Sequence, residues 1–362
     1  MKYQMMKRGR RKVLKATIGW FCSYTPTELF EAAGCAAYGI REDSGKAHED
    51  VYLGDSICSY VRSCMGGALG GSYDFLDGVV VAHSCECMRR LYDGWLFKQN
   101  DIKPECIHLL DVPRVCNEKS IAFFSQSLRH LKDKIELRYG KITDDALRAS
   151  IVRHNRTRAL LSRLFELRKR DNPPVTGVEA LKIIQRSTTE PRDEFNRDLE
   201  SLLASWESDS RASNSARPRV MVYGGIGNPR LHEAVEDAGG IVVFEDACTG
   251  VRHFYGMADT EGDPIHALAA RYLSKPPCPR MLGEHANRGL SDAVQIIKDY
   301  RIQGIVYYAV KFCTNLQMGM LQYKEMIGGH APVKMIEGEI SGEVNEREIA
   351  SFIKKIGRRS AA

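Results

Sequence analysis

The stretch Thr17-Ile18-Gly19-Trp20-Phe21-Cys22-Ser23-Tyr24-Thr25-Pro26-Thr27-Glu28-Leu29-Phe30 joins an uncharged, mostly apolar run to a helix-start signal. Thr17 to Cys22 suits a buried strand. Thr25 stands as an N-cap, Pro26 at the first helical position and Glu28 at the third, a capping box ahead of Leu29, Phe30, Ala32 and Ala33. The same alternation recurs downstream. Leu76–Ala82 and Ile107–Pro113 read as strands with a helical pattern over Met88–Phe97 between them; Arg219–Tyr223, Ile241–Phe244 and Gly304–Val310 read as strands in the second half, with a helix over Leu231–Ala238. Strands alternating with helices predict parallel sheets covered on both faces. From Ser120 to Leu203 no strand pattern appears, and Leu160, Leu161, Leu164 and Leu167 recur at helical spacing. Ser205, Ser208, Ser210, Ser213 and Ser215 then mark a linker. The expected fold is α/β: two tandem doubly wound (flavodoxin- or Rossmann-like) parallel-sheet domains, 1–119 and 219–362, joined by a helical connector, 120–204, and a Ser-rich linker, 205–218.

Composition narrows the classes. With 362 residues, 43% hydrophobic and 27% charged, the chain matches ordinary globular proteins and not disordered or fibrous ones. Lys2, Lys7, Arg8, Arg10, Arg11, Lys12 and Lys15 ahead of Ala16–Tyr24 imitate a secretory signal, but Glu28 and Glu31 interrupt the apolar region and an amphipathic helix accounts for it better. No run approaches the ~20 apolar residues of a membrane span. The formal charge of +6 suits phosphorylated ligands as well as polynucleotides. Eleven cysteines, an odd number, argue against a disulfide framework and for a reducing cytoplasm, where clustered thiols serve metals or catalysis.

Two nucleotide motifs fail. Gly225-Ile226-Gly227 follows a strand, but Arg230 stands where the third glycine of a dinucleotide fingerprint belongs. Gly45-Lys46 is followed by Ala47, so no phosphate loop is present there. The cysteines are better placed. Cys85 and Cys313 each follow an apolar strand, and side chains beyond the carboxyl ends of strands converge in the ligand crevice of doubly wound sheets. A shared metal site and buried structural thiols both remain open on this pattern, since no C-x2-C pair of a zinc ribbon or ferredoxin occurs.

Ordered blocks along the chain add a family resemblance. Gly19-Trp20-Phe21-Cys22 through Ala32-Ala33-Gly34, Cys58-Ser59-Tyr60-Val61-Arg62, Tyr73-Asp74-Phe75-Leu76-Asp77-Gly78, Ser84-Cys85-Glu86 and Met88-Arg89-Arg90-Leu91-Tyr92-Asp93 come first. Gly227-Asn228-Pro229, Cys248-Thr249-Gly250-Val251-Arg252, Ala269-Ala270-Arg271-Tyr272-Leu273, Pro277-Cys278-Pro279 and Lys311-Phe312-Cys313 continue it. Together they resemble the family of 2-hydroxyacyl-CoA dehydratase and benzoyl-CoA reductase subunits, from about Val13 to Ile356.

The resemblance implies an enzyme subunit of the iron–sulfur lyase or oxidoreductase type. It implies a 4Fe–4S cluster between the domains on Cys58, Cys85 and Cys313, leaving one iron open to an acyl-CoA thioester. An ATP-driven activator, a separate iron–sulfur protein, would supply one low-potential electron and form a ketyl radical. A branch of the same family carries a double-cubane cluster and reduces small molecules; Cys22, Cys64 and Cys87 would then complete its ligands. Glu86 stands where relatives carry Asp, and Asn345-Glu346-Arg347 replaces an Arg-Thr-Arg element.

Glu28 has two readings, a catalytic group where relatives place a functional Glu and the third residue of the capping box. Arg62 suits a CoA phosphate through its planar fork. His83 reads as a loop histidine, and Cys106, Cys116, Cys248 and Cys278 as structural thiols. Arg148, Arg153, Arg156, Arg158, Arg163, Arg168, Lys169 and Arg170 against Glu166 alone form a basic helical segment. It serves contact with a partner protein or, in a reading of another class, nucleic-acid binding. The expected assembly is a dimer with itself or a related subunit, with no nucleic acid and no membrane.

Overall fold

The computed structural model describes residues 14–41, 53–104, 106–208, 217–340 and 342–359. The first unit runs β1 (Thr17–Trp20), α1 (Glu28–Ala32), β2 (Ala36–Gly39), α2 (Ser59–Leu69), β3 (Gly78–His83), α3 (Glu86–Phe97) and β4 (Cys106–Asp111). Four helices follow, α4 (Glu118–Tyr139), α5 (Asp144–Leu167), α6 (Gly177–Arg186) and α7 (Arg192–Ser208). The second unit runs β5 (Arg219–Gly224), α8 (Pro229–Asp237), β6 (Ile241–Asp246), α9 (Val251–Phe254), α10 (Pro264–Ser274), α11 (Glu284–Asp299), β7 (Gly304–Val310), α12 (Thr314–Ile327), β8 (Val333–Gly338) and α13 (Glu346–Arg359). The Gly45-Lys46 motif, the basic residues up to Lys12 and most of the Ser-rich segment (209–216) lie outside the described residues.

The two sheets share one topology. Strands lie in the order β2-β1-β3-β4 and β6-β5-β7-β8, all parallel, with Gly19 opposite Val79 in the first and Met221 opposite Ile305 in the second. Strand order reverses between β1 and β3, and between β5 and β7, so a crevice opens at the carboxyl ends of those central pairs. Alternation across the pleat divides the core. Val79 and Val81 of β3 share one buried cluster with Val306 and Tyr308 of β7, so the two units have a continuous interior. Val80 and Ala82 face α4, α5 and α10, while Ile305, Tyr307 and Ala309 face the connecting helices. Each such buried aliphatic side chain contributes about 1.5–3 kcal/mol.

Several local expectations change. β1 stops at Trp20, and the first helix is N-capped by Thr27 without a side-chain bond, so the Thr25–Glu28 capping box does not form. A complete box occurs at α6, where Thr176 Oγ1 accepts from the Glu179 amide at 3.2 Å and the Glu179 carboxylate accepts from the Thr176 amide at 2.8 Å. Caps of this kind contribute about 1 kcal/mol. Two of the four edge strands, β2 and β8, are additions to the strands expected from sequence. Among the described residues no helix is long and apolar enough to cross a membrane.

Candidate functional site

The three cysteines singled out from both halves occupy equivalent places in the fold. Cys58 is the N-cap of α2, Cys85 the N-cap of α3 immediately after β3, and Cys313 the N-cap of α12 after β7. None of the three sulfurs closes a capping hydrogen bond, yet the amides of Val61, Met88 and Leu316, each three residues on, favour its thiolate form. Three helix N-termini therefore direct their partial positive charge at three thiols. The chain reaches Cys313 through Phe312, held at φ 63°, a left-handed conformation costing a non-glycine residue about 1–2 kcal/mol. Such strain persists where surrounding structure over-determines it.

A fourth thiol lies between two of these. Cys87, in the first turn of α3, shares hydrogen bonds with both Cys58 and Cys85, which hold it far below the ordinary thiol range. The reciprocal effect holds Cys58 and Cys85 high, and burial adds to it. Burial pushes Cys313 up to about 11, and the charges of Cys278 and Cys87 act on it. Among the described residues no three His, Cys, Asp or Glu side chains converge closely enough for a single metal ion.

Cys22, Cys248 and Cys278 form a second group. Cys22 follows β1, Cys248 follows β6, and Cys278 precedes α11. The Cys248 thiol hydrogen-bonds to Cys278, whose own value is pulled down to about 6 by that bond and by Arg252; Cys248 is raised in return, and Cys22 acts on it. Buried cations surround them. Lys275 donates to Ser23 O at 2.6 Å, Ser23 Oγ at 2.8 Å and Arg252 O at 3.0 Å, and burial pulls its ammonium down to about 7. Arg271 and Arg280 likewise donate to carbonyls, and none of these three forms an ion pair among the described residues. Arg252 pairs with Asp246 at 2.6 Å. A buried positive charge without a counter-charge is costly; Arg271 has the Glu28 carboxylate acting on it, and the thiols of Cys22, Cys248 and Cys278 act on Lys275.

The 2-hydroxyglutaryl-CoA dehydratase D-component family model matches residues 22–353. This chain belongs to that family. It is 25% identical to the putative dehydratase subunit YjiM of Escherichia coli over 94% of this chain and 91% of that protein. It is also 25% identical to a benzoyl-CoA reductase subunit from Thauera aromatica, over 83% and 79%. The beta subunit of (R)-2-hydroxyglutaryl-CoA dehydratase of Acidaminococcus fermentans shares 24% identity over 87% and 85%. Enzyme subunits of the dehydratase and reductase kind are thus the company of this chain.

Other positions singled out from sequence sit apart from the thiols or engage partners of their own. Glu28 is fully buried, paired with Arg158 and hydrogen-bonded by the Tyr272 hydroxyl at 2.8 Å, so both its oxygens are engaged. Arg62 faces Glu339 at 3.8 Å. Cys64 lies wholly inside the first unit's core with Met65 and Trp95. The basic segment spends its charge internally: Arg156 on Glu200, Arg163 on Glu207, Arg168 on Glu245, Lys169 on Glu166, and Arg148 on the Thr260 carbonyl. Cys248 and Cys278, expected from sequence to be structural thiols, hydrogen-bond to each other, and Cys22 acts on Cys248. The available signal is position, since Cys248 directly follows a strand and Cys278 sits between two prolines within a family block.

Proposed function

We propose that this chain is the iron–sulfur subunit of a 2-hydroxyacyl-CoA dehydratase or benzoyl-CoA reductase-type enzyme. The observation that supports the reading is the placement of Cys58, Cys85 and Cys313, from both sheets, each at a helix N-terminus. The residues fit a 4Fe–4S cluster. Thiols that do not converge on one point suit a group whose separate irons each take one thiolate, and helix termini offset the negative charge of such a group. Cys87 is a fourth thiol at the same place. When bound, the cluster would supply one-electron reduction of an acyl-CoA thioester. The chain's own part is to hold that group through Cys58, Cys85 and Cys313, and to fasten its two units together with buried ion pairs. Arg62, on the helix that Cys58 caps, is the candidate contact for a CoA phosphate.

Low-potential electrons would come from a separate ATP-dependent activator protein, in a reducing cytoplasm. The working enzyme would pair this chain with a related subunit or a second copy.

A second reading, a double-cubane cluster acting on small molecules, has its own support. Its six expected ligands are Cys22, Cys58, Cys64, Cys85, Cys87 and Cys313; Cys87 hydrogen-bonds to Cys58 and Cys85, and Cys248 and Cys278, which hydrogen-bond to each other near Cys22, are further thiols for it. Anaerobic purification with iron and acid-labile sulfide counted per chain tests both. About four irons support the single cubane and about eight the double one; absence of iron after anaerobic reconstitution sinks both. An acyl-CoA assay with and without activator and ATP then tests the reaction, and sustained turnover without them would remove the activator from the scheme.

A further inference from the structure

The carboxyl ends of β3 and β4 border a cleft of about 380 Å3 beside Cys85, with Arg114, Lys119 and Arg280 on its walls and the half-exposed ring of Phe123 on its apolar side. Its charge is one-sided. Asp111 is the single carboxylate lining it, and that group already faces His83 Nδ1 at 3.1 Å. Arg114 and Lys119 are exposed and form no ion pair among the described residues.

Arg280 changes the character of the rim. Strand ends of a parallel sheet present carbonyl oxygens, which repel anions. Here Arg280, only 3% exposed, donates to Ser84 O at 2.5 Å, Val112 O at 2.7 Å and Pro113 O at 2.8 Å. Three carbonyl dipoles are thereby turned onto a buried cation that has no carboxylate partner. The N-terminus of α4, a helix of 22 residues with Glu118 in its first turn, borders the cleft, its Ser120 amide already donating to Asn117 Oδ1 at 2.9 Å. A cleft built from cations, a masked carbonyl rim and one aromatic wall is suited to an anion with an apolar body.

We propose that this cleft binds an oxyanion, a carboxylate or a phosphate, carried by the small molecule that reaches Cys85, with Arg114 and Lys119 as its charged contacts. Phe123 covers the apolar part of that molecule. The site needs neither a cluster nor an activator, so its failure is separable from failure of the proposed function.

The test is calorimetric titration of the full-length chain at low ionic strength with two probes, glutarate and inorganic phosphate. Saturable binding at one site per chain is expected. Arg114→Gln and Lys119→Gln should each weaken it about tenfold or more, the scale of a lost charge-assisted contact, while Arg230→Gln on α8 leaves it unchanged. Both target side chains are exposed, and an unaltered unfolding midpoint will verify that the variants fold. Tighter glutarate binding assigns a carboxylate of the acyl group, tighter phosphate binding a phosphate of its carrier, and either upholds the site. No saturable binding of either anion, or binding indifferent to both substitutions, overturns it.

Discussion

The hydroxyl of Tyr272 on α10 donates a 2.8 Å hydrogen bond to the carboxylate of Glu28 on α1, across 244 residues of chain. Arg158 of α5 pairs with the other oxygen of the same carboxylate. Burial opposes ionisation of Glu28, but Arg158, His154 and Arg271 outweigh it and hold the carboxyl well below the usual range. One buried anion thus fastens the first unit to the connector and to the second unit.

Glu28→Gln leaves the Arg158 guanidinium buried without a counter-charge. The expected loss is about 3–5 kcal/mol of unfolding free energy, against about 1.5–3 kcal/mol for Tyr272→Phe, which removes one hydrogen bond to the charged carboxylate. Urea denaturation of both variants measures this, and equal small losses would show that the carboxylate is dispensable.

Acid should weaken the same junction through Glu31. Burial opposes its ionisation too, but His154 and Arg192 outweigh it and pull the carboxyl from 4.5 to about 2. Because the folded value lies below the unfolded one, the stabilisation is complete above about pH 4.5 and is lost as the pH falls toward 2. Its size is on the order of 3 kcal/mol. Glu31→Gln should flatten the stability profile across that window, and a profile as steep as the parent's would refute the assignment.

Replacing Cys58, Cys85 or Cys313 singly with Ala should remove most of the iron bound under anaerobic conditions. Because the cysteines cap helices of both units, the variants should also unfold earlier when loaded, as metal sites couple to folding. Full iron in any one of them would strike that residue from the ligand set. Replacing Cys22, Cys248 and Cys278 together should halve the iron of a double cubane and leave a single one intact.

Gly250→Ala should destabilise the turn that carries Cys248. A methyl group at Gly250 would stand 2.2 Å from the backbone oxygen of Glu245, a contact the chain must move to relieve. Glu245 is itself fixed by its 2.6 Å ion pair with buried Arg168. A loss of about 1–3 kcal/mol, the usual cost of overpacking, is expected, together with altered reactivity of Cys248 toward a thiol reagent. An unchanged melting temperature would mean the turn relaxes freely.

The α/β class, the central strands and the three cysteines that follow or precede regular elements are legible in the linear pattern of the chain. Runs such as Val79–Ala82 and Ile305–Val310 are buried on both faces, so they stand out as unbroken apolar stretches. β2 and β8 do not, because β2 is a four-residue strand with mostly part-exposed positions and β8 carries Lys334 and Glu337 among part-exposed ones, unlike the edge strand β6. Which thiols lie near one another is decided in three dimensions. Cys22 and Cys278 lie 256 positions apart in the chain, and their meeting depends on strand order and on how the two units pack, neither of which leaves a local pattern. The same holds for Glu28: its spacing after Thr25 satisfies a capping box, but the charge and hydroxyl of Arg158 and Tyr272 arrive from remote helices, and a buried carboxylate is held by the partners that neutralise it.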